Sequence, residues 1–150
     1  MAAVVREALP ADIPVLVGLG EAFFAAHGYP GVDVDWERVP GLLRALIYDK
    51  LGLVLALEQD GAVVGALIAA AHRPVFGGAY QASELGFWVS PEARGRATLT
   101  MLPRFIEWAR GLGCASATLS GFCDERSDKL SRVYARYGFS PRETTYLRTI

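Results

Sequence analysis

The sequence predicts a mixed α/β (α+β) fold, a β-sheet flanked by helices in the order β-α-α-β-β-β-α-β-α-β. Three observations carry this. Apolar runs at period two alternate along the chain with runs at helical spacing. A tight Asp60-Gly61 turn joins two apolar strands in the middle, which makes that pair antiparallel. Strand–helix–strand units near the C-terminal end need crossovers, which favour parallel pairing there. At 150 residues the chain is long enough to bury a core and fits one domain, residues 1–150.

The first strand is VVREAL, Val4 to Leu9, where apolar and polar residues partly alternate, and Pro10 closes it. A helix follows over ADIPVLVGLGEAFFAAHG. Asp12 offers a carboxylate to its first turn, Pro14 is tolerated there, and Gly28 is a natural stop. Ile13, Leu16, Val17, Phe23 and Phe24 give it a buried stripe. The loop YPGVDVDWERVP leads to a second helix from about Pro40 to Tyr48, whose LLRALI core has helical spacing. LGLVLALEQ and VVGALIAAA are the hairpin strands. His72 to Ala79, with Pro74, Gly77 and Gly78, is a turn, and YQASELGFWVS is the next strand, with Leu85, Phe87 and Val89 on one core face. A long helix from about Thr98 to Leu112 presents Leu102, Phe105, Ile106 and Ala109 and stops at Gly111 or Gly113. A strand from Cys114 to Gly121, a helix from about Ser127 to Tyr137 ended by Gly138, and a last strand from about Glu143 to Thr149 complete the order.

A formal charge of −1 and a pI near 6.1 give no global attraction for nucleic acid or an anionic membrane, so any anion site must be local. The hydrophobic fraction of 52% against 21% charged residues is high for a small soluble monomer, and a homodimer is expected to cover part of it. The longest apolar run, Gly61 to Ala71, is too short to span a bilayer. The start MAAVVREALPADIP lacks a basic region followed by a continuous apolar one, so the reading is a cytoplasmic protein. Cys114 and Cys123 lack CxxC spacing and a nearby histidine and read as reduced, partly buried thiols. His27 and His72 read as loop residues without metal-ligand spacing, and no metal is expected. Ser120 and Cys123 lack a G-x-S-x-G elbow, which argues against covalent hydrolysis.

The stretch WVSPEARGRATLTML, Trp88 to Leu102, is a strand, a turn and a helix start, with one glycine, Gly95, between Arg94 and Arg96. Such a junction can hold an anion through convergent backbone N–H groups and the helix dipole. Arg94 and Arg96 would add charge-assisted contacts, and Thr98 and Thr100 hydroxyl donors. The bland alternative is a pair of solvated turn arginines.

Two runs in this order, ELGFWVSPEARGR and SRVYARYGFSP, together with the element order, resemble the GNAT (GCN5-related N-acetyltransferase) superfamily over nearly the whole chain. The resemblance implies acetyl-CoA as co-substrate and a loop of Arg94, Gly95, Arg96, Ala97, Thr98, Leu99 and Thr100 around its pyrophosphate. Arg94 matches the family's first loop position, while Ala97 and Leu99 stand at its two small positions. Leu99 puts bulk where backbone should approach phosphate, unless it points into the core. Pro103 removes an N–H that would bond the residue 99 carbonyl, so the helix starts late or kinks.

The resemblance further implies that the strand before this loop splays from its neighbour and that the backbone of Phe87, Trp88 and Val89 pairs with the pantetheine arm. It implies Tyr134 as general acid near the thioester sulfur and Glu84 as the base that takes the amine proton, while Ser127 stands where the family commonly has an asparagine touching CoA. Read without it, Tyr134 is a packed aromatic and Glu84 an edge-facing or salt-bridged carboxylate. Tyr137 reads as a packing residue. Asp33, Asp35 and Glu37 form an acidic loop that in the family borders the acceptor site and is otherwise a solvated charge run. The implied function is acetyl transfer to the primary amine of a small molecule or peptide by direct attack in a ternary complex. The alternative is a catalytically weak or inactive protein of this fold that binds CoA or serves as an interaction module.

Overall fold

The alternating apolar runs build one five-stranded sheet in the computed structural model, which describes residues 2–150. Its strands are β1 (Ala3–Glu7), β2 (Gly52–Gln59), β3 (Ala62–His72), β4 (Gln81–Val89) and β5 (Ser116–Thr118), side by side in chain order. β1 to β4 run antiparallel, and β4 pairs with β5 in parallel. Around the sheet lie α1 (Ile13–His27), α2 (Val39–Tyr48), α3 (Arg96–Leu99), α4 (Met101–Gly111) and α5 (Ser127–Ala135). The fold is the mixed α/β sheet flanked by helices that the sequence predicts.

Strand alternation sends successive side chains to opposite faces, and each face meets its own helices. Leu53, Leu55, Leu57, Leu67 and Val89 pack on Met101, Leu102 and Phe105 of α4. Val54, Ala56 and Ala66 pack on Ile13, Leu16 and Leu19 of α1 and Leu43 of α2. Each large apolar side chain so buried stabilises the fold by about 1.5–3 kcal/mol. The β2–β3 turn has positive φ at both Asp60 (52°) and Gly61 (82°), the backbone that matches strand twist in a two-residue hairpin. Gly28 ends α1 in the left-handed region, as its position in the sequence suggests.

Several expectations are corrected. Asp12 does not cap α1. Its carboxylate accepts the Leu9 N–H at 2.7 Å and pairs with Arg6 at 2.7 Å, while Arg6 also reaches Glu58 at 2.8 Å. The Arg6 guanidinium holds the Asp12 carboxyl below the usual carboxylate range. The long helix predicted from Thr98 is divided at Thr100 into α3 and α4. Pro103 then falls in the first turn of α4, where a missing N–H leaves no helical bond unmade.

The strand predicted from Cys114 shrinks to Ser116–Thr118, because the Cys114 N–H goes to Ala109 and the Ala115 N–H to Tyr80. The last strand, Glu143 to Thr149, does not form. Residues 139–150 carry no regular secondary structure, and Tyr146 and Leu147 are 91% and 63% exposed. A strand needs a partner edge, and three-residue β5 offers a short one. Cys114 is half-buried as expected, but Cys123 is exposed, and both are free. His72 is the last residue of β3 rather than part of a turn. Among the described residues no helix is long and apolar enough to cross a membrane.

Candidate active site

β4 and β5 pair only at Gln81–Ser116, Ala82–Ala117 and Ser83–Thr118, where the Thr118 hydroxyl also lies 3.2 Å from that of Ser83. Beyond Ser83, β4 continues on β3 alone, with no further backbone pair to the chain leaving β5 among the described residues. The sheet therefore opens between the two strands. A bulge sits at the same place: Ala69 faces Glu84 and Ile68 faces Gly86, so Leu85 is an extra residue, 60% exposed and off the core face the sequence assigned it. After the bulge Phe87 and Val89 face α4, while Trp88 packs on the α1 side.

Glu84 stands at the point of divergence. Its Oε2 accepts the Ser120 N–H at 3.0 Å, and burial raises its pKa to about 7, an effect the Ser120 bond partly offsets. Across the opening, half-buried Tyr134 of α5 donates its hydroxyl to the Ser120 carbonyl at 3.3 Å. Burial first, and then the charge of Glu84, push the Tyr134 phenol above its ordinary value. A carboxylate poised near neutrality and a phenol kept protonated thus meet on either side of one residue. Such an arrangement can accept one proton and deliver another.

The turn after β4 is folded tightly. Arg94 Nε donates to the Val89 carbonyl at 2.9 Å, and its guanidinium lies 4.7 Å over the Trp88 ring. Ala97 and Leu99 pack against the α4 core, so the bulk of Leu99 does not cover the loop backbone. The Gly95 N–H donates to the Thr98 hydroxyl at 3.3 Å, and Thr100 donates its hydroxyl to the Ala97 carbonyl at 2.6 Å. The two threonines are therefore engaged within the turn. Because α3 is only four residues long, the dipole behind the loop is smaller than a long helix would give, which leaves exposed Arg96 and Arg94 as its main charges.

A family model described as Acetyltransferase (GNAT) family matches residues 20–139. The chain belongs to the GNAT acetyltransferase family. The family is one of acyltransferases. Among solved structures, a predicted acetyltransferase with acetyl-CoA from Clostridium acetobutylicum is similar at 19% identity and TM-score 0.75, covering 98% of this chain and 96% of that one. An aminoglycoside acetyltransferase from an uncultured soil metagenomic sample is similar at 17% identity and TM-score 0.76, over 100% and 99%. A ribosomal-protein-alanine N-acetyltransferase from Brucella melitensis biovar Abortus 2308 is similar at 14% and 0.72, over 99% of each chain. At such identities these likenesses show the GNAT fold alone. Comparison with curated proteins returns no match.

Ser127, which the GNAT resemblance also singled out, opens α5, and its N–H bonds the Asp124 carbonyl. Tyr137 packs against the α4 core. In the acidic loop, the Asp35 carboxylate accepts the Glu37 N–H at 3.1 Å, a local turn contact. Among the described residues no group of three or more His, Cys, Asp or Glu is arranged to hold a metal ion. Two clefts that share Glu7, Leu53 and Trp108 contain none of the residues above.

Sequence reasoning missed Ser120 as the joint between Glu84 and Tyr134, because it works through its backbone. It also missed an aromatic cluster. His27 is the last residue of α1 rather than a loop residue, and it stacks on Phe122 with centroids 4.3 Å apart. The spacing of Phe23 and His27, four apart on one helix face, was a legible signal for half of that cluster.

Proposed function

We propose that the protein is an acetyl-CoA-dependent N-acetyltransferase that transfers acetyl to a primary amine by direct attack in a ternary complex. The observation that supports it most is the opened sheet with Glu84 and Tyr134 converging on Ser120 at its mouth. Acetyl-CoA supplies an activated thioester. The unpaired edge of β4 at Phe87 and Trp88 suits an extended pantetheine arm, whereas the Val89 carbonyl is already taken by Arg94. Arg94, Gly95, Arg96 and the backbone through Ala97 to Thr100, with Ser127 across the opening, are the residues that would hold the rest of CoA, the arginines facing its phosphates.

In this reading Glu84 takes a proton from the acceptor ammonium, directly or through water. The amine lone pair then forms the C–N bond as the C–S bond breaks, Tyr134 gives its proton to the departing sulfur, and the nitrogen's second proton leaves through solvent, which restores the phenol. A homodimer belongs to the same reading: Val75 and Phe76, between β3 and β4, are 98% and 100% exposed and would be covered by a partner. The cytoplasm is the proposed location.

A thermal-shift titration tests the core of this reading. Acetyl-CoA and CoA should each raise the melting temperature in a concentration-dependent way; no rise with either would remove it. One observation favours a second reading, a CoA-binding module without turnover: Arg94 is already engaged with Trp88 and Val89. Binding without acetylation across an amine panel, and no effect of Tyr134→Phe, would select that reading instead.

A further inference from the structure

The chain leaving β5 performs two tasks within three residues. Ser120 is held by Glu84 and Tyr134, and Phe122 lies flat on His27, with planes 18° apart. Phe122 also reaches Phe23 at 5.9 Å and Tyr29 at 5.6 Å, and His27 and Phe23 meet Trp88 at 5.6 Å and 5.9 Å. Trp88 belongs to the β4 lip of the sheet opening and Phe122 to the β5 lip. Both lips therefore end in the same aromatic cluster.

This cluster is not a sealed core. Phe122 and Tyr29 are 38% and 40% exposed, while Phe23 and His27 are half-buried. The indole N–H of Trp88 is buried with no hydrogen-bond partner among the described residues, although a buried indole N–H ordinarily has one. The charges around the rings are few, and Arg126 among them is paired with Asp124 at 3.3 Å. Arg94 covers Trp88, and Arg126, Asp124 and Arg94 act on His27. Burial first, then Arg126 and Arg94 against the opposing charge of Asp124, lowers the His27 pKa. A surface of flat rings with the Arg94 guanidinium at its border favours a flat apolar body and opposes a polycation.

We propose that Phe122, His27 and Trp88 form the acceptor-specificity surface, which selects a monoamine carried on an aromatic or similarly flat apolar group. This rests on the N-acetyltransferase reading and adds the class of acceptor to it. Phe122 follows Ser120 by two residues, at most about 7 Å of chain. A ring laid against Phe122 thus places a nitrogen on a short alkyl arm within reach of Glu84, which is bonded to Ser120.

The test measures kcat/KM by thiol release from acetyl-CoA for 2-phenylethylamine, n-propylamine and spermidine, in the wild type and in Phe122→Ala and Phe122→Tyr. The expected result is a preference of tenfold or more for 2-phenylethylamine over both other amines. Phe122→Ala should shrink the phenylethylamine-to-propylamine ratio at least fivefold, and Phe122→Tyr, which keeps a ring, should restore most of it. A preference for spermidine, or a ratio unmoved in Phe122→Ala, overturns the proposal while leaving acetyl transfer intact. If no amine is acetylated, the N-acetyltransferase reading fails separately. Titration calorimetry of 2-phenylethylamine then decides the surface alone: binding weakened fivefold or more in Phe122→Ala supports it, and equal or absent binding overturns it.

Discussion

Glu84 and Tyr134 are coupled through the backbone of one residue: Glu84 accepts the Ser120 N–H at 3.0 Å, and Tyr134 donates to the Ser120 carbonyl at 3.3 Å. The carboxylate comes from β4, and the phenol from a helix near the C-terminus. Anything that displaces residue 120 moves both groups together.

With Glu84 as base, activity requires its carboxylate form, so kcat/KM should rise with pH through about 7 and then level. Glu84→Gln should lower kcat/KM by about 10²–10⁴-fold and abolish that limb. Stability moves the opposite way. Between the ordinary pKa of 4.5 and about 7 the folded state keeps a proton that the unfolded chain has released, so raising pH through this window destabilises the fold. The melting temperature of Glu84→Gln should fall less than that of the wild type between pH 5 and pH 8. Parallel melting curves would mean that Glu84 holds no raised pKa in the fold, and an unchanged pH limb of kcat/KM in Glu84→Gln would remove it as the base.

Tyr134→Phe deletes only the hydroxyl. As general acid, its loss should reduce kcat by about 10²-fold or more, with little change in the KM for acetyl-CoA. Because the phenol is pushed upward, no alkaline limb from Tyr134 should be visible below its ordinary value of about 10. Full activity in this variant would leave Tyr134 as a packing residue beside Phe139.

Arg94→Ala should weaken CoA binding about tenfold at low salt, and the wild-type advantage should shrink as ionic strength rises. It also uncovers the Trp88 ring, so tryptophan emission should change in the absence of ligand. Unaltered CoA affinity would mean that this arginine serves the β4 end alone.

Two glycines mark close approaches and rank in a predictable order. A Cβ at Gly52 would collide with the backbone of Leu46 in α2, which cannot rotate away, whereas one at Gly65 would meet the Val89 side chain at 2.6 Å. Gly52→Ala should cost about 3 kcal/mol and Gly65→Ala less. For a chain of this size the former lowers the melting temperature by roughly 6–12 °C. Thermal melts giving the reverse order would contradict the packing of α2 on β2.

Much of the fold was legible because its signals are local. The Asp60-Gly61 turn, the stop at Gly28 and the break before Pro103 each arise from the backbone preferences of one or two residues. The final strand was not, since TTYLRT has a strand-like composition but a strand exists only with an edge to pair on. In the site, Glu84 stood out as the one carboxylate in its strand, and Tyr134 through the Gly138-Phe139 context. Leu85 was misassigned because a bulge shifts the period-two rule by one residue. Ser120 offers its backbone, which any residue could supply, and Phe122 meets His27 only through the tertiary fold.

The three-pair seam between β4 and β5 should also divide the molecule by how readily it melts. Few backbone bonds tie β5 and α5 to the larger antiparallel sheet, so amides there should exchange with deuterium through partial opening, while those of β2 and β3 wait for global unfolding. Whatever spans the seam bridges a strong cooperative unit and a weak one. Occupancy should therefore show first as slowed exchange in α5, before any change in the melting of the sheet.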